Sequence, residues 1–300
     1  MDFGIQFFPD IGPEIQSAED YWDEALRLVD HFDELGYSHV RTVEHYFESY
    51  GGYTPNPHLF LVAASQRTKK ARLVTGAVLP VFNHPLKIAG EIGVVDAISH
   101  GRMECGFARA FLPHEFTRFG ISVNESKARF DEGYNIMGIP MAGGKMKELL
   151  GIYRESWKAA GHPGNGKVML AFHMFCHPDA DEAREICKPR LEAYLKSLVD
   201  AASDWTSGAS SADYPGYDKI IEGISKETFE SQVEKGAAWI GTPDQIRQQI
   251  ADYQEVSGGF EVASLQVNFN TISYDQALTS MRLFSKEVMP DFVGQAEAAE

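Results

Sequence analysis

The chain has 300 residues, 44% hydrophobic and 23% charged, a globular composition long enough for one large domain or two small ones. Its 27 Lys and Arg face 43 Asp and Glu, and the resulting net charge of −16 argues against nucleic acid or an anionic membrane as principal partner. The apolar runs are too short to cross a bilayer, MDFGIQFFPD lacks the basic start of a signal peptide, and Cys105, Cys176 and Cys187 show no motif spacing, so a cytoplasmic protein with reduced thiols is expected.

In chain order, FGIQFFP (Phe3–Pro9) reads as a buried strand, and a helix follows from an N-cap at Ser17, with Asp20 three residues on, to a stop at Gly36. Then come strand His39–His45, helix Pro57–Thr68, strand Ala71–Val81, helix Leu86–Ser99 and strand Gly101–Phe111. Strand Tyr134–Met141, helix Gly144–Gly161, strand Lys167–His177 and helix Asp179–Ala201 continue the alternation. A helix capped by Thr242 with Pro243 behind it, strand Val262–Asn270 and helix Ser273–Met289 close it. Strands alternating with helices require a parallel sheet covered by helices, and seven of them favour a closed (β/α) barrel over an open doubly wound sheet. One domain over residues 1–292 is expected. Residues 202–241, rich in Ser, Gly, Asp and Tyr, read as an irregular lid, and 293–300 as a disordered tail.

Three motifs fail on inspection. GHPGNGK (Gly161–Lys167) has the glycines and lysine of a phosphate loop, but Val168 follows it and it joins a helix to a strand, the reverse order, so it reads as a turn. His173 and His177 lie about 13 Å apart along a strand and cannot share a metal. No G-x-G-x-x-G follows the first strand.

The strand ends are more informative, because a parallel barrel gathers its site at the C-terminal ends of its strands. The second strand ends on Glu44 and His45 and runs into an aromatic, proline-stiffened loop, Tyr46–Pro57. The third carries Thr75, Gly76 and Ala77, small enough for a flat ligand to approach the backbone. Arg109 ends the fourth, Lys127 and Arg129 follow, and Asn268 and Asn270 end the last. An imidazole, cations, amides and small residues on one rim suit a planar ligand with a phosphate tail. Regular pleating turns Glu44 away from His45.

With VEHYF, VTGAVLPVFNHPLKIAGEIGVVDAISHGRMECGFARAF, ESKARFDE, IGTPDQI and SMRLFSKEVMP in this order, the chain resembles the luciferase-like flavin-dependent monooxygenases over nearly its whole length. The loop after His45 and ASDWTSGASSADYPGYDK are similar to a branch found in natural-product biosynthesis. The resemblance implies a TIM (β/α)8-type barrel, reduced FMN supplied by a separate flavin reductase, no metal, and a homodimer built on the second and third barrel helices. It implies a small-molecule or carrier-protein-bound substrate. By position, His45 matches the catalytic histidine, and Gly76-Ala77 matches a non-proline cis peptide beside the flavin ring. Arg109 and Lys127 match phosphate contacts, with Lys127 where arginine is usual. Ala108 stands where luciferase has a reactive cysteine. Oxygen activated on a flavin must be kept from water, which the Tyr46–Pro57 loop suits. The alternatives are a deazaflavin-dependent oxidoreductase on the same fold and a non-catalytic flavin-binding module.

The resemblance breaks at Gly133-Tyr134. Roughly one βα unit around the fifth strand, on the order of 40–60 residues, has no counterpart there. Residues left out of the chain as read are the expected source, which predicts a Cα separation well beyond ~3.8 Å at that point. A true deletion, engineered or natural, is the alternative.

Overall fold

The computed structural model describes residues 1–131 and 144–293. The Gly133-Tyr134 junction, the expected strand Tyr134–Met141 and most of the expected tail lie outside the described residues.

The N-terminal half runs β1 (Asp2–Phe7), α1 (Ala18–Val29), α2 (Phe32–Leu35), β2 (His39–Val43), α3 (Pro57–Ser65), β3 (Arg72–Val78), α4 (Pro85–Ser99), β4 (Met103–Phe107), α5 (Pro113–Phe119) and α6 (Ser126–Asp131). The rest runs α7 (Gly144–Ala159), β5 (Met169–Cys176), α8 (Ala180–Ala201), α9 (Tyr217–Ile224), α10 (Phe229–Glu234), β6 (Ala238–Gly241), α11 (Pro243–Ser257), β7 (Val262–Gln266) and α12 (Tyr274–Glu287). Local chemistry sets the expected boundaries. The Ser17 hydroxyl accepts from the Asp20 amide, Gly36 ends α2 in the left-handed region, and Thr242 and Gln245 form a reciprocal capping box on α11. GHPGNGK is a turn, with Gly161, Gly164 and Gly166 all at positive φ.

All seven strands are parallel, in the order β4-β3-β2-β1-β7-β5-β6. The architecture is the expected helix-covered parallel sheet, but the ring is not closed. Among the described residues β4 and β6 are its two edges, and β5 lies between β6 and β7 instead of following chain order. An incomplete circuit leaves edge backbone unpaired, and β4 is accordingly only partly covered, with Cys105 exposed.

Residues 202–241 are less irregular than expected. They contain α9, α10 and the buried strand β6. Ala238–Gly241 is too short for periodicity to reveal. Its place comes from Trp239, fully buried and stacked on Phe172 at 4.0 Å. Residues earlier in this stretch, including Trp205, Tyr214 and Ile221, pack with Phe8, Val43, Tyr50 and Leu112 over the C-terminal rim.

The register separates two faces of the sheet. Phe3, Ile5, Phe7, Val40, Leu73, Phe172 and Leu265 join the core beneath the helices, with Phe3 edge-on to Phe284 of α12 and Phe7 edge-on to Phe60 of α3. The opposite, inner face carries Gly4, Gln6, His39, Arg41, His173, Ser264 and Gln266, as the pairs Gln6↔Arg41, Gly4↔Ser264 and His173↔Gln266 require. His39 reaches across Gly4 to bond Ser264 at 3.0 Å, and a Cβ on Gly4 would lie 2.2 Å from the imidazole, so glycine is needed there. The inside of a (β/α)8 barrel is usually filled by branched apolar residues; here it is polar.

Candidate functional site

His45 follows β2 directly and is buried, with Phe8, Tyr50 and Phe111 around its ring at centroid distances of 5.8, 5.4 and 6.0 Å. Its Nδ1 lies 3.1 Å from Oε1 of Glu115, a fully buried residue of α5. The Tyr46 amide donates to the same oxygen at 2.9 Å. An oxygen already accepting an amide N–H is best matched by a protonated Nδ1. That tautomer leaves Nε2 as the imidazole's variable position. Glu115 Oε2 is buried with no partner among the described residues.

Glu44 departs on the other side, as the pleat requires. It accepts from the Leu79 amide at 2.9 Å, from Asn83 Nδ2 at 2.8 Å and from the Tyr46 hydroxyl. Burial pushes its carboxyl up to about 7. Glu44 therefore ties the loop after β3 to β2, while Tyr46 touches both carboxylates, through its hydroxyl to Glu44 and its amide to Glu115.

Gly76 and Ala77 end β3 on the same rim. Their peptide is trans, so the expected cis bond is not found. The irregularity there is a bulge: Thr42 pairs with Thr75 and Val43 with Ala77, leaving Gly76 as the extra residue. Phe47, Ala110 and Asn270 hold positive φ angles of 74°, 61° and 50° in the loops after β2, β4 and β7. Non-glycine residues held this way gather at functional sites, and these three share the C-terminal rim.

Arg109 and Lys127 meet at one place. The Arg109 guanidinium lies over the Tyr214 ring at 4.8 Å and donates to the Asp213 carbonyl at 3.1 Å. The Lys127 amide donates to the Asp213 carboxylate at 2.9 Å. Asp213 thus places an anion beside the two expected phosphate contacts. The Asn270 backbone amide donates to buried Asp10 at 2.6 Å, and its side-chain Nδ2 lies 3.5 Å from the same carboxylate. Burial raises Asp10 to about 7. No cluster of metal ligands occurs among the described residues.

Sequence reasoning missed Glu115, Asp213 and Arg41. Glu115 sits in PHEFTRF, a helix of seven residues with no clear periodicity, and only the fold brings it to His45. The residues fit a flavin on two observations. The inner face holds buried polar atoms without a partner among the described residues, Gln6 Oε1 and Arg41 Nε, an acceptor and a donor suited to the mixed edge of an isoalloxazine ring. On the rim the Arg109 guanidinium and the Lys127 backbone amide converge on Asp213, an arrangement of donors suited to an anion such as a phosphate. A wide concavity of about 680 Å³ lies elsewhere, beside α1 at Gln16, Asp20 and Arg27, away from this chemistry.

The luciferase-like monooxygenase family matches residues 1–145 and 137–258. The chain is 36% identical to protein y4wF of Sinorhizobium fredii, covering 98% of both chains. That alignment runs over 341 positions, more than this chain has residues, so the relative contains a stretch without counterpart here. The monooxygenase RslO1 of Streptomyces bottropensis superposes with a TM-score of 0.84 at 33% identity, covering 98% of this chain and 100% of that one. The oxygenating constituent of 3,6-diketocamphane monooxygenase from Pseudomonas putida, a type II Baeyer-Villiger enzyme in complex with FMN, gives 0.77 at 21% identity, covering 97% and 98%. With its parallel sheet, its rim histidine and these matches along its length, the chain belongs to the luciferase-like, flavin-dependent monooxygenases.

Proposed function

We propose that this protein is the oxygenating component of a two-component monooxygenase, taking reduced FMN from a separate flavin reductase and oxygenating a biosynthetic intermediate, free or tethered to a carrier protein. The observation that carries this reading is the buried His45–Glu115 pair on the C-terminal rim, inside an aromatic enclosure. Bound reduced flavin supplies the activation of molecular oxygen. The chain's part is to bind, to exclude water and to handle protons. Arg109 and Lys127 hold the phosphate. Ala77 lets the ring approach β3, while Gly76 makes room for the Arg41 guanidinium. Phe8, Tyr50 and Phe111 exclude water. Glu115 fixes the imidazole through Nδ1, so that Nε2 of His45 takes or gives the proton, a contribution typically worth about 10²–10⁴ in rate. The protein acts as a homodimer through α3 and α4, whose Leu59 and Leu86 are 71% and 77% exposed.

Anaerobic titration of the purified protein with reduced FMN, followed by mixing with oxygen, tests the reading. Tight binding and oxygen uptake by the bound flavin are expected. Binding without oxygen uptake would favour the deazaflavin-type or non-catalytic alternatives, and absence of binding would overturn the assignment.

A further inference from the structure

Arg41 is a buried cation whose positive charge the proposed function leaves unassigned. It lies on the inner face of β2, two residues below Val43, and is 9% exposed. Its one hydrogen bond among the described residues is a long one, from Nη2 to the Gly76 carbonyl at 3.5 Å. Its Nε is buried without a partner, and no ion pair reaches it among the described residues. Its neighbours on that face do not supply a negative charge. The imidazoles of His39 and His173 carry no negative charge in either form, and Tyr194, which reaches the same region from α8, is pushed up to about 12 by burial and so stays a neutral phenol. Buried guanidinium groups are almost always paired with an anion. The position is also specific. A Cβ on Gly76 would lie 2.7–2.8 Å from Nε, Cζ and Nη2 of Arg41, so the guanidinium rests against the bare backbone at the bulge of β3.

We infer that Arg41 is the counter-cation for the negatively charged N1–C2=O edge of reduced flavin, and so makes the protein select reduced over oxidised flavin. The inference rests on the flavin reading above and adds to it the means of choosing the redox state. The planar guanidinium fork matches an N/O edge carrying delocalised negative charge, and charge beside N1 is one of the ways a protein tunes a flavin. Arg41 lies within β2 and its guanidinium rests against the strand backbone at Gly76, away from Arg109 and Lys127, which is where a ring rather than a phosphate tail would lie.

The test compares wild type, Arg41→Met and Arg41→Lys for binding of FMN and of riboflavin, each oxidised and dithionite-reduced under anaerobic conditions, together with the midpoint potential of bound FMN. Wild type should bind reduced flavin more tightly than oxidised. Arg41→Met should lose roughly 10- to 100-fold in affinity for the reduced form, with little change for the oxidised form. The loss should be equal for FMN and riboflavin, and the midpoint potential should move to a more negative value. Arg41→Lys, which keeps the charge without the fork, should fall between. Removing an unpaired buried charge should also raise the melting temperature of Arg41→Met without ligand. Equal losses in both redox states, no loss, or a loss confined to FMN would overturn the inference while leaving flavin binding intact. Failure of wild type to bind flavin in either state would overturn both readings.

Discussion

His45 and Glu44 are sequence neighbours with opposite duties, and their substitutions should separate accordingly. His45→Ala removes a side chain whose one hydrogen bond among the described residues is to Glu115, so it should fold with a melting temperature near wild type. It should still take up reduced FMN and oxygen, but release hydrogen peroxide sooner, as stopped-flow absorbance and a peroxide assay would register. A low melting temperature with lost flavin binding would instead make His45 a loop anchor. Glu44 gives a pH dependence. Its folded carboxyl holds a proton to about pH 7, against an ordinary value of 4.5. Its contribution to stability is fully present below 4.5 and is lost as pH rises through about 7. Glu44→Gln should therefore flatten the fall in unfolding free energy between pH 5 and pH 8, at about 1.4 kcal/mol for each unit of the difference in affinity for protons. Urea titrations at intervals across that range would show it. Buried Asp10, also raised to about 7, should keep part of the slope. At the proposed phosphate site, Asp213 would compete with the ligand for Arg109 and the Lys127 amide. Arg109→Ala should weaken FMN more than riboflavin, and Asp213→Asn should tighten FMN by up to about tenfold. Parallel changes in both ligands would place the phosphate elsewhere.

At the scale of elements, α3 and α4 are unlike the surface helices α1 and α12. Those two bury one stripe and expose a charged one, whereas α3 and α4 keep apolar residues on the outside, with Leu59, Leu86 and Val94 exposed and open space at Gly90 and Gly93. An apolar helix surface left in water is costly unless a partner covers it. Sedimentation should therefore find a dimer, and Leu59→Lys combined with Leu86→Lys should convert it to a monomer without loss of helix content. A monomeric wild type at micromolar concentration would refute this interface. β4 makes a second case. It is a sheet edge, with Met103, Glu104 and Phe107 only partly buried and Cys105 exposed. Its amides should exchange with deuterium faster than those of β1 and β7, which are paired on both sides. Equal protection would mean that another strand or chain covers that edge.

For the whole molecule, local chemistry is strong enough to read from the chain alone. Caps at Ser17 and Thr242, the stop at Gly36, the helical spacing of α1 and the apolar runs of β1, β2 and β7 depend on contacts within a few residues, so the alternating parallel architecture and the rim position of His45, Ala77 and Arg109 follow from sequence. What the sequence could not supply depends on distant partners. β6 is four residues long and becomes a strand because Trp239 stacks on Phe172. Among the described residues the sheet is open between β4 and β6, and closure is a property of the complete circuit rather than of any one segment. The bulge at Gly76 is set by the register between β2 and β3, a pairwise matter that no single segment reveals, and the expected cis peptide is not found there. Glu115 and Asp213 are ordinary acids in the chain, 70 and 86 residues from the groups they bind, His45 and Lys127. Arg41 reads as one more strand residue until tertiary burial removes water and leaves its charge without a partner. Sequence by itself determined most of the elements, the parallel sense of their strands and the end of the sheet where chemistry gathers, because these are set by local propensity and periodicity. Tertiary structure alone decided which charges are buried, paired or orphaned, because desolvation and ion pairing exist only once distant segments have packed together.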